Sequence, residues 1–371
     1  MKGRVLITGG AGFIGSHLAD ELIAAGYGVR VLDALDPQVH GLSRQPPEYL
    51  DPGVELQIGD VGDPAAVRRA LDGIDGVIHL AAAVGVGQSM YEIARYTRVN
   101  SLGTAVVVEA LLERSIGKLV VASSMSIYGE GLYRGPDGLP FTVPRRPRSQ
   151  LLAGEWELRD GEGMPLVPVP TPEWKAPDIA SVYALTKLDQ ERICLLVGEA
   201  YGVPAVALRF FNTYGPRQAL SNPYTGVLAI FAARLLNDAP PLVFEDGRQQ
   251  RDFVSVHDVA RACRLAYESE RAGEVYNVGS GMAQPIVELA QRTARVLGKE
   301  RIEPRVTGKY RVGDIRHCTA DISRARRDLG YEPQVGLDEG LAELAEWLAG
   351  RSAEDRVQEA GHELAARGLT L

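Results

Sequence analysis

The sequence predicts an α/β protein, a doubly wound parallel sheet followed by a smaller C-terminal lobe. Short apolar runs rich in Val, Ile and Leu recur through the first part of the chain, separated by helical stretches. Continuous apolar runs make strands buried on both faces, and their alternation with helices makes the sheet parallel. A glycine-rich turn, GGAGFIG at 9–15, stands between the first run and the first helix. The composition is that of a globular chain, 45% hydrophobic and 24% charged over 371 residues. At roughly 150 residues per domain, that length holds two domains or one domain with a lobe.

In order, residues 4–7 read as the first buried strand, 15–25 as a helix and 28–32 as the second strand. Runs at 54–58, 76–80 and 118–122 follow at wider spacing. The stretch 133–179 differs: it holds nine of the 22 prolines in 47 residues and lacks helical periodicity. It reads as an inserted loop lobe outside the core. A helix resumes at 183–200 and a strand at 205–210. From 212 to about 254, Pro, Asn and Gly open a second lobe. Helices follow at 258–268, with His257 or Asp258 near the cap, and at 286–297 and 337–348. The last twenty residues read as a surface helix with no chemistry. The expected division is 1–211, 212–349 with part of 252–280 returning to the first domain, and 350–371.

Charge and cysteines exclude several classes. Lys+Arg 40 against Asp+Glu 48 gives a net charge of -8, the wrong sign for a nucleic-acid footprint. No apolar run approaches the roughly 18 residues of a membrane span. The chain opens directly on a strand, without a signal-peptide core. Cys194, Cys263 and Cys318 are scattered, which predicts no metal site, no disulfide scaffold and a reducing, cytoplasmic setting.

Gly9, Gly12 and Gly15 have the spacing G-x-x-G-x-x-G between strand and helix. Glycine there permits a tight turn and close approach of a pyrophosphate to the helix N-terminus. Asp33 ends the second strand, eighteen residues past Gly15. A carboxylate there accepts from adenosine ribose hydroxyls and repels a 2′-phosphate. No Arg follows closely, so the expected cofactor is NAD rather than NADP. Asp60 and Val61 end the third run, as an adenine contact or as a simple turn.

Tyr183 and Lys187 lie four apart on a helix, hence on one face. A nearby ammonium, with the positive nicotinamide, is expected to lower the tyrosine pKa and make Tyr183 a general base. Ser123-Ser124-Met125-Ser126 follows the strand ending at 122, and strand ends are where such sheets hold ligands. A hydroxyl there can reach the reacting oxygen beside the tyrosine.

With these pieces in place the chain resembles the NAD-dependent epimerase/dehydratase family of extended short-chain dehydrogenases, which have a Rossmann fold. The matching segments are TGGAGFIG (8–15), Asp33, Asp60-Val61, HLAA (79–82), Asn100, SSMSIYG (123–129), Tyr183/Lys187, RFFNTYGPRQ (209–218), RDFV (251–254) and RVGD (311–314). They run in family order over some 310 residues. The resemblance implies Ser124 and Tyr183 as catalytic residues and Lys187 on the nicotinamide ribose. It implies Gly9, Gly12, Phe13, Ile14, Gly15, Asp33, Asp60, Val61, Leu80, Ala81, Ala82 and Asn100 as the NAD lining. It implies Asn212, Arg217, Arg251, Arg311 and Asp314 on the diphosphate of a sugar nucleotide, where arginine's fork binds bidentately. Gln88, Ser89 and Ser126 are candidate sugar contacts.

The reaction follows from what is missing. Sugar 4,6-dehydratases of the family carry Asp-Glu where this chain has Met125 and Ser126, neither an acid nor a base. The 3,5-epimerase type needs a Cys/Lys pair, and no cysteine here lies in a matching motif. What remains is 4-epimerisation of a nucleotide sugar, through a transient 4-keto sugar, with Ser124, Tyr183 and NAD. Uronate 4-epimerases resemble this chain less at Asn212 and Ala219. The long chain and QALSNPYTG (218–226) resemble the dTDP-L-rhamnose 4-epimerase-like members, with neutral UDP-hexoses as the competitor. A UDP-glucuronate epimerase, a dehydratase or a reductase of the same family are the alternatives, as is a non-catalytic dinucleotide sensor. The resemblance also implies a homodimer through helices near 100–113 and 183–200. The insert is left with three roles: pocket wall, lid or decoration.

Overall fold

Seven strands, β1 (Arg4–Thr8), β2 (Gly28–Asp33), β3 (Glu55–Ile58), β4 (Gly76–His79), β5 (Lys118–Ser124), β6 (Ala205–Phe210) and β7 (Glu274–Val278), pair in parallel in the order β7-β6-β5-β4-β1-β2-β3. The computed structural model describes all residues except 1, 43, 142–144, 220, 221, 223–225, 312, 350–356 and 371. Residues 220, 221 and 223–225 of the 218–226 stretch, residue 312 of RVGD and 350–356 of the C-terminal extension thus lie outside it.

The strands are apolar throughout because alternate side chains enter two different cores. Val5 and Ile7 of β1, Val120 and Ala122 of β5, and Val206 and Leu208 of β6 pack on one side with Leu18 and Leu22 of helix Phe13–Ala24 and Val259 and Cys263 of helix Val256–Glu268. Leu6, Leu119, Val121 and Ala207 face the other side with Val67, Val107 and Cys194. Burying each such Leu or Val stabilises the fold by about 1.5–3 kcal/mol. The strand order reverses between β1 and β4, which opens a crevice at their carboxyl ends.

The C-terminal lobe is built on strand Gln250–Ser255. It pairs with Asn212–Tyr214 and His317–Cys318 in parallel and with Ala283–Pro285 antiparallel. Leu228, Phe231, Leu289 and Leu341 close a separate core over Tyr214 and Phe253.

The Pro-rich insert is more ordered than its composition suggests. Strand Leu132–Arg134 lies between antiparallel Pro140–Phe141 and Val167–Val169, with Tyr133, Leu158 and Leu166 packed together beside it. Charge pins the insert to the lobe. The fully buried Arg316 guanidinium bonds Glu157 of the insert, Glu245 and Asp246. Arg146 of the insert meets Glu245 at 2.9 Å. Hydrogen bonds from His317 and Arg316 hold the Glu157 carboxyl down at about 2. Among the described residues no helix is long and apolar enough to cross a membrane.

Candidate active site

The glycine turn sits at the carboxyl end of β1, and helix Phe13–Ala24 starts with Gly12 as its cap, unassisted by any side chain. The first N–H groups of a helix have no partner within it, so those of Phe13, Ile14 and Gly15 face outward with the positive end of the dipole. Two of the glycines are required by the turn itself. Gly9 has φ +71°, and a Cβ on Gly15 would lie 2.4 Å from the Gly9 carbonyl oxygen. Gly12 differs: φ is -75°, open to any residue, and its nearest neighbour to an added Cβ is 3.4 Å away. What its missing side chain keeps clear is the ground over the helix N-terminus, a cradle of the kind a pyrophosphate occupies. Asp33 closes the turn's far side, accepting from the Ala11 N–H at 3.0 Å and the Leu35 N–H at 2.9 Å. The residues fit a dinucleotide. Leu80, Ala81 and Ala82 are half-buried at the end of β4, Val61 is buried, and Asp60 is exposed, its carboxylate accepting from the Gly62 N–H at 2.8 Å.

Ser124, the last residue of β5, caps a short 3-10 turn (Met125–Tyr128) through the Ser126 N–H. Its Oγ lies 2.7 Å from Ser126 Oγ, and the helix that carries Tyr183 packs against β5 and the 3-10 turn. Helix Val182–Tyr201 begins at Ser181, whose side chain accepts from the Ala184 N–H at 3.1 Å. Ser89 Oγ accepts from the Tyr183 N–H at 3.0 Å. Two hydroxyls therefore fix the first turn of the helix that carries Tyr183 and Lys187. That helix packs along β5, whose last residue is Ser124.

The electrostatics differ from the expectation. Burial pushes the Tyr183 hydroxyl above the ordinary tyrosine range, and the opposing influence is the nearby Ser124 hydroxyl rather than the lysine. The Lys187 ammonium is turned to Gln190 Oε1 at 2.7 Å, and burial draws it down to about 7. Burial therefore weakens the hold of Lys187 on its proton.

Sequence reasoning missed the residues behind this pair. His79 at the end of β4 is 2.6 Å from Thr8 Oγ1 and 2.9 Å from Thr104 Oγ1. Gln190 Nε2 donates to Thr104 Oγ1 at 2.8 Å and to the Ala81 carbonyl at 3.3 Å. Burial, then Lys187, holds the His79 imidazole down at about 3, so it stays neutral. Gln190, one turn past Lys187, was findable from helical spacing; Thr104, from a different helix, was not. Below them Glu191, fully buried, accepts from Ser123 Oγ at 2.7 Å and takes a forked bond from Arg209.

Several anticipated contacts are spent within the chain. Asn100 is fully buried: its Oδ1 accepts from the Ala83 N–H at 2.7 Å and its amide donates to the Ala83 carbonyl and to Thr186 Oγ1. It ties the β4 loop to the Tyr183 helix instead of lining a ligand. Gln88 is buried among Gln38, Glu92 and Tyr96, and Ser89 is the helix brace described above. Asn212 donates to the Asp252 carbonyl. Arg251 donates to the carbonyls of residues 250, 315 and 316. Arg217 has φ +66° and faces Asp20 on the first helix at 2.7 Å, away from Ser124. Arg311 pairs with Asp314 at 3.0 Å and lies over the Phe244 ring. Met125 is buried in the core and Ser126 is engaged by Ser124, so the positions after Ser124 hold no acid or base.

Residues 5–156 and 167–279 match the family described as NAD dependent epimerase/dehydratase. The chain is similar to a dTDP-L-rhamnose 4-epimerase from Burkholderia thailandensis, 38% identical over 93% of this chain and 95% of that one. Its fold is similar to a UDP-glucose 4-epimerase from Thermotoga maritima solved with UDP-glucose, at a TM-score of 0.76 and 32% identity over 93% of this chain and 98% of that one. A UDP-glucose 4-epimerase from Thermus thermophilus solved with NAD has a TM-score of 0.73 and 31% identity, covering 94% and 99%. This chain therefore belongs to the NAD dependent epimerase/dehydratase family.

Proposed function

We propose that the protein is an NAD-dependent nucleotide-sugar 4-epimerase, with dTDP-L-rhamnose or a neutral UDP-hexose as substrate. One observation carries the reading. The helix that opens with Tyr183 packs against β5, which ends at Ser124, and against the 3-10 turn that follows, while the adjacent Met125 and Ser126 offer no acid–base partner for dehydration. NAD, when bound on the glycine turn, supplies the acceptor and then the donor of the C4 hydride. Tyr183 Oη takes the C4 hydroxyl proton, and Ser124 Oγ holds that oxygen in line. Lys187, one helical turn past Tyr183, stabilises the phenolate when it carries its proton. The same tyrosine returns its proton to the 4-keto oxygen after the sugar has turned over, so proton and hydride balance are both restored. The dTDP-L-rhamnose preference is supported by the similarity to the Burkholderia enzyme.

For the diphosphate we favour Arg311, whose side chain is 41% exposed and whose partner Asp314 is three residues away; Arg251 and Arg217 would each have to give up bonds to distant segments. In this reading residues 1–211 with part of 252–280 bind NAD, the rest of 212–349 is the sugar-nucleotide lobe, and 350–371 is an extension. A homodimer is proposed through the helices flanking Asn100 and Tyr183, where Leu102, Leu185 and Leu196 remain exposed. Three buried free thiols are in keeping with a cytoplasmic setting. The test is Tyr183→Phe, which should abolish turnover while leaving bound NAD in place; preserved activity would sink the assignment.

A further inference from the structure

Arg217 bridges the first helix and the segment that precedes β3. Its guanidinium reaches Asp20 on the first helix and lies 5.5 Å from the centre of the Tyr49 ring. The Trp347 ring meets the same tyrosine edge-on at 6.2 Å. Held on two sides, Tyr49 donates its hydroxyl hydrogen to the Ala11 carbonyl at 3.1 Å. Ala11 lies inside the glycine turn, and Asp33 accepts from its N–H. Both polar groups of this residue are therefore clamped by side chains from outside the turn. The orientation of the adjoining peptide decides where the N–H groups of residues 12–15 point.

We infer that Tyr49 is a positioning residue for the dinucleotide. With Arg217 and Trp347 behind it, it fixes the Ala11 carbonyl and so keeps the phosphate turn ready-shaped, slowing release of the cofactor. This inference rests on the NAD-dependent reading above. It has a functional sense there: an enzyme that regenerates its cofactor in every cycle gains from keeping it.

The test is Tyr49→Phe, which removes one hydroxyl and keeps the ring between Arg217 and Trp347. The purified holoenzyme is mixed with excess deuterium-labelled NAD, and exchange of the bound cofactor is followed by mass spectrometry. Loss of one hydrogen bond predicts exchange about 2- to 10-fold faster, in a variant that still unfolds in one cooperative transition at saturating NAD. Arg217→Met, which removes the guanidinium but keeps the stem, should accelerate exchange in the same direction. Exchange in both variants at the native rate would overturn the inference and leave the function untouched. A native protein that carries no NAD and takes up none would overturn the function, and this inference with it.

Discussion

Gly12 and Gly15 stand three residues apart in the same turn, yet the structure assigns their missing side chains to different causes. A Cβ on Gly15 would sit 2.4 Å from the Gly9 carbonyl oxygen and 2.5 Å from Gly10 Cα. Both are backbone atoms, so the turn itself has to move. Overpacking of this kind costs about 1–3 kcal/mol, and Gly15→Ala is expected to lower the unfolding midpoint without any ligand present. A Cβ on Gly12 meets only one atom, at 3.4 Å, in a backbone conformation any residue adopts. Gly12→Ala should therefore change the stability of the cofactor-free protein by less than about 1 kcal/mol, the scale of an N-cap exchange. Its cost appears on binding, where the methyl occupies the pyrophosphate's ground. A tenfold loss of affinity removes about 1.4 kcal/mol from the stabilisation that saturating NAD confers. The assay is thermal unfolding of native protein, Gly12→Ala and Gly15→Ala, each with and without NAD, with affinity from calorimetry. If Gly12→Ala destabilised the cofactor-free protein as much as Gly15→Ala, or bound NAD as tightly as the native protein, the reasoning would fail.

Further expectations follow from the wiring of the site. Ser124→Ala should lower kcat by about 10²–10³-fold, the scale for losing one preorganised donor, with NAD content unchanged; a kcat within twofold of native would remove Ser124 from the chemistry. Arg209→Met strands the buried Glu191 carboxylate and should cost about 3–5 kcal/mol, read as a lower urea midpoint; an unchanged midpoint would show the pair to be dispensable. His17 and His79 are both drawn down to about 3 by burial, so the unfolded chain binds protons that the folded one does not between pH 6.5 and 3. Their contribution to stability is complete above pH 6.5 and is lost as pH falls through that window, about 1.4 kcal/mol for each group by pH 5.5. Glu130 and Asp252, buried carboxyls held above their ordinary range, act in the opposite sense. The comparison is therefore the slope of stability between pH 7 and 5.5 in native protein and in His79→Gln; equal slopes would contradict the neutral buried imidazole.

Much of this was legible along the chain because its causes are local. Continuous apolar strands announce a sheet covered on both faces, a glycine triplet between strand and helix announces an anion site, and a four-residue spacing puts Tyr183 and Lys187 on one face. What stayed illegible depends on partners far away in sequence. Arg217 was expected on the diphosphate; a positive φ sends it to Asp20 and Tyr49 instead. Asn100, expected on NAD, and Gln88, expected on the sugar, also hold bonds the sequence did not reveal, to Ala83 and Thr186 and to Gln38 and Glu92. The insert reads as loop because its strands are only two or three residues long and its charge anchors lie beyond residue 240. The C-terminal helix Val357–Ala366 also has more contact than its sequence suggested: Leu364 is buried near Gly87 and Glu363 accepts from the Tyr91 hydroxyl at 2.9 Å.

The central claim is redox-neutral inversion at C4, and proton NMR of the purified protein with dTDP-L-rhamnose, without added cofactor, tests it most directly. The account predicts that the C4 epimer grows to a fixed ratio, that the same ratio is reached from either epimer, and that no NADH accumulates. With UDP-glucose and UDP-glucuronate in parallel tubes, the sugar that reaches equilibrium first names the substrate. A protein that carries NAD yet leaves every sugar unchanged, or that releases a dehydrated or permanently oxidised sugar, would contradict it.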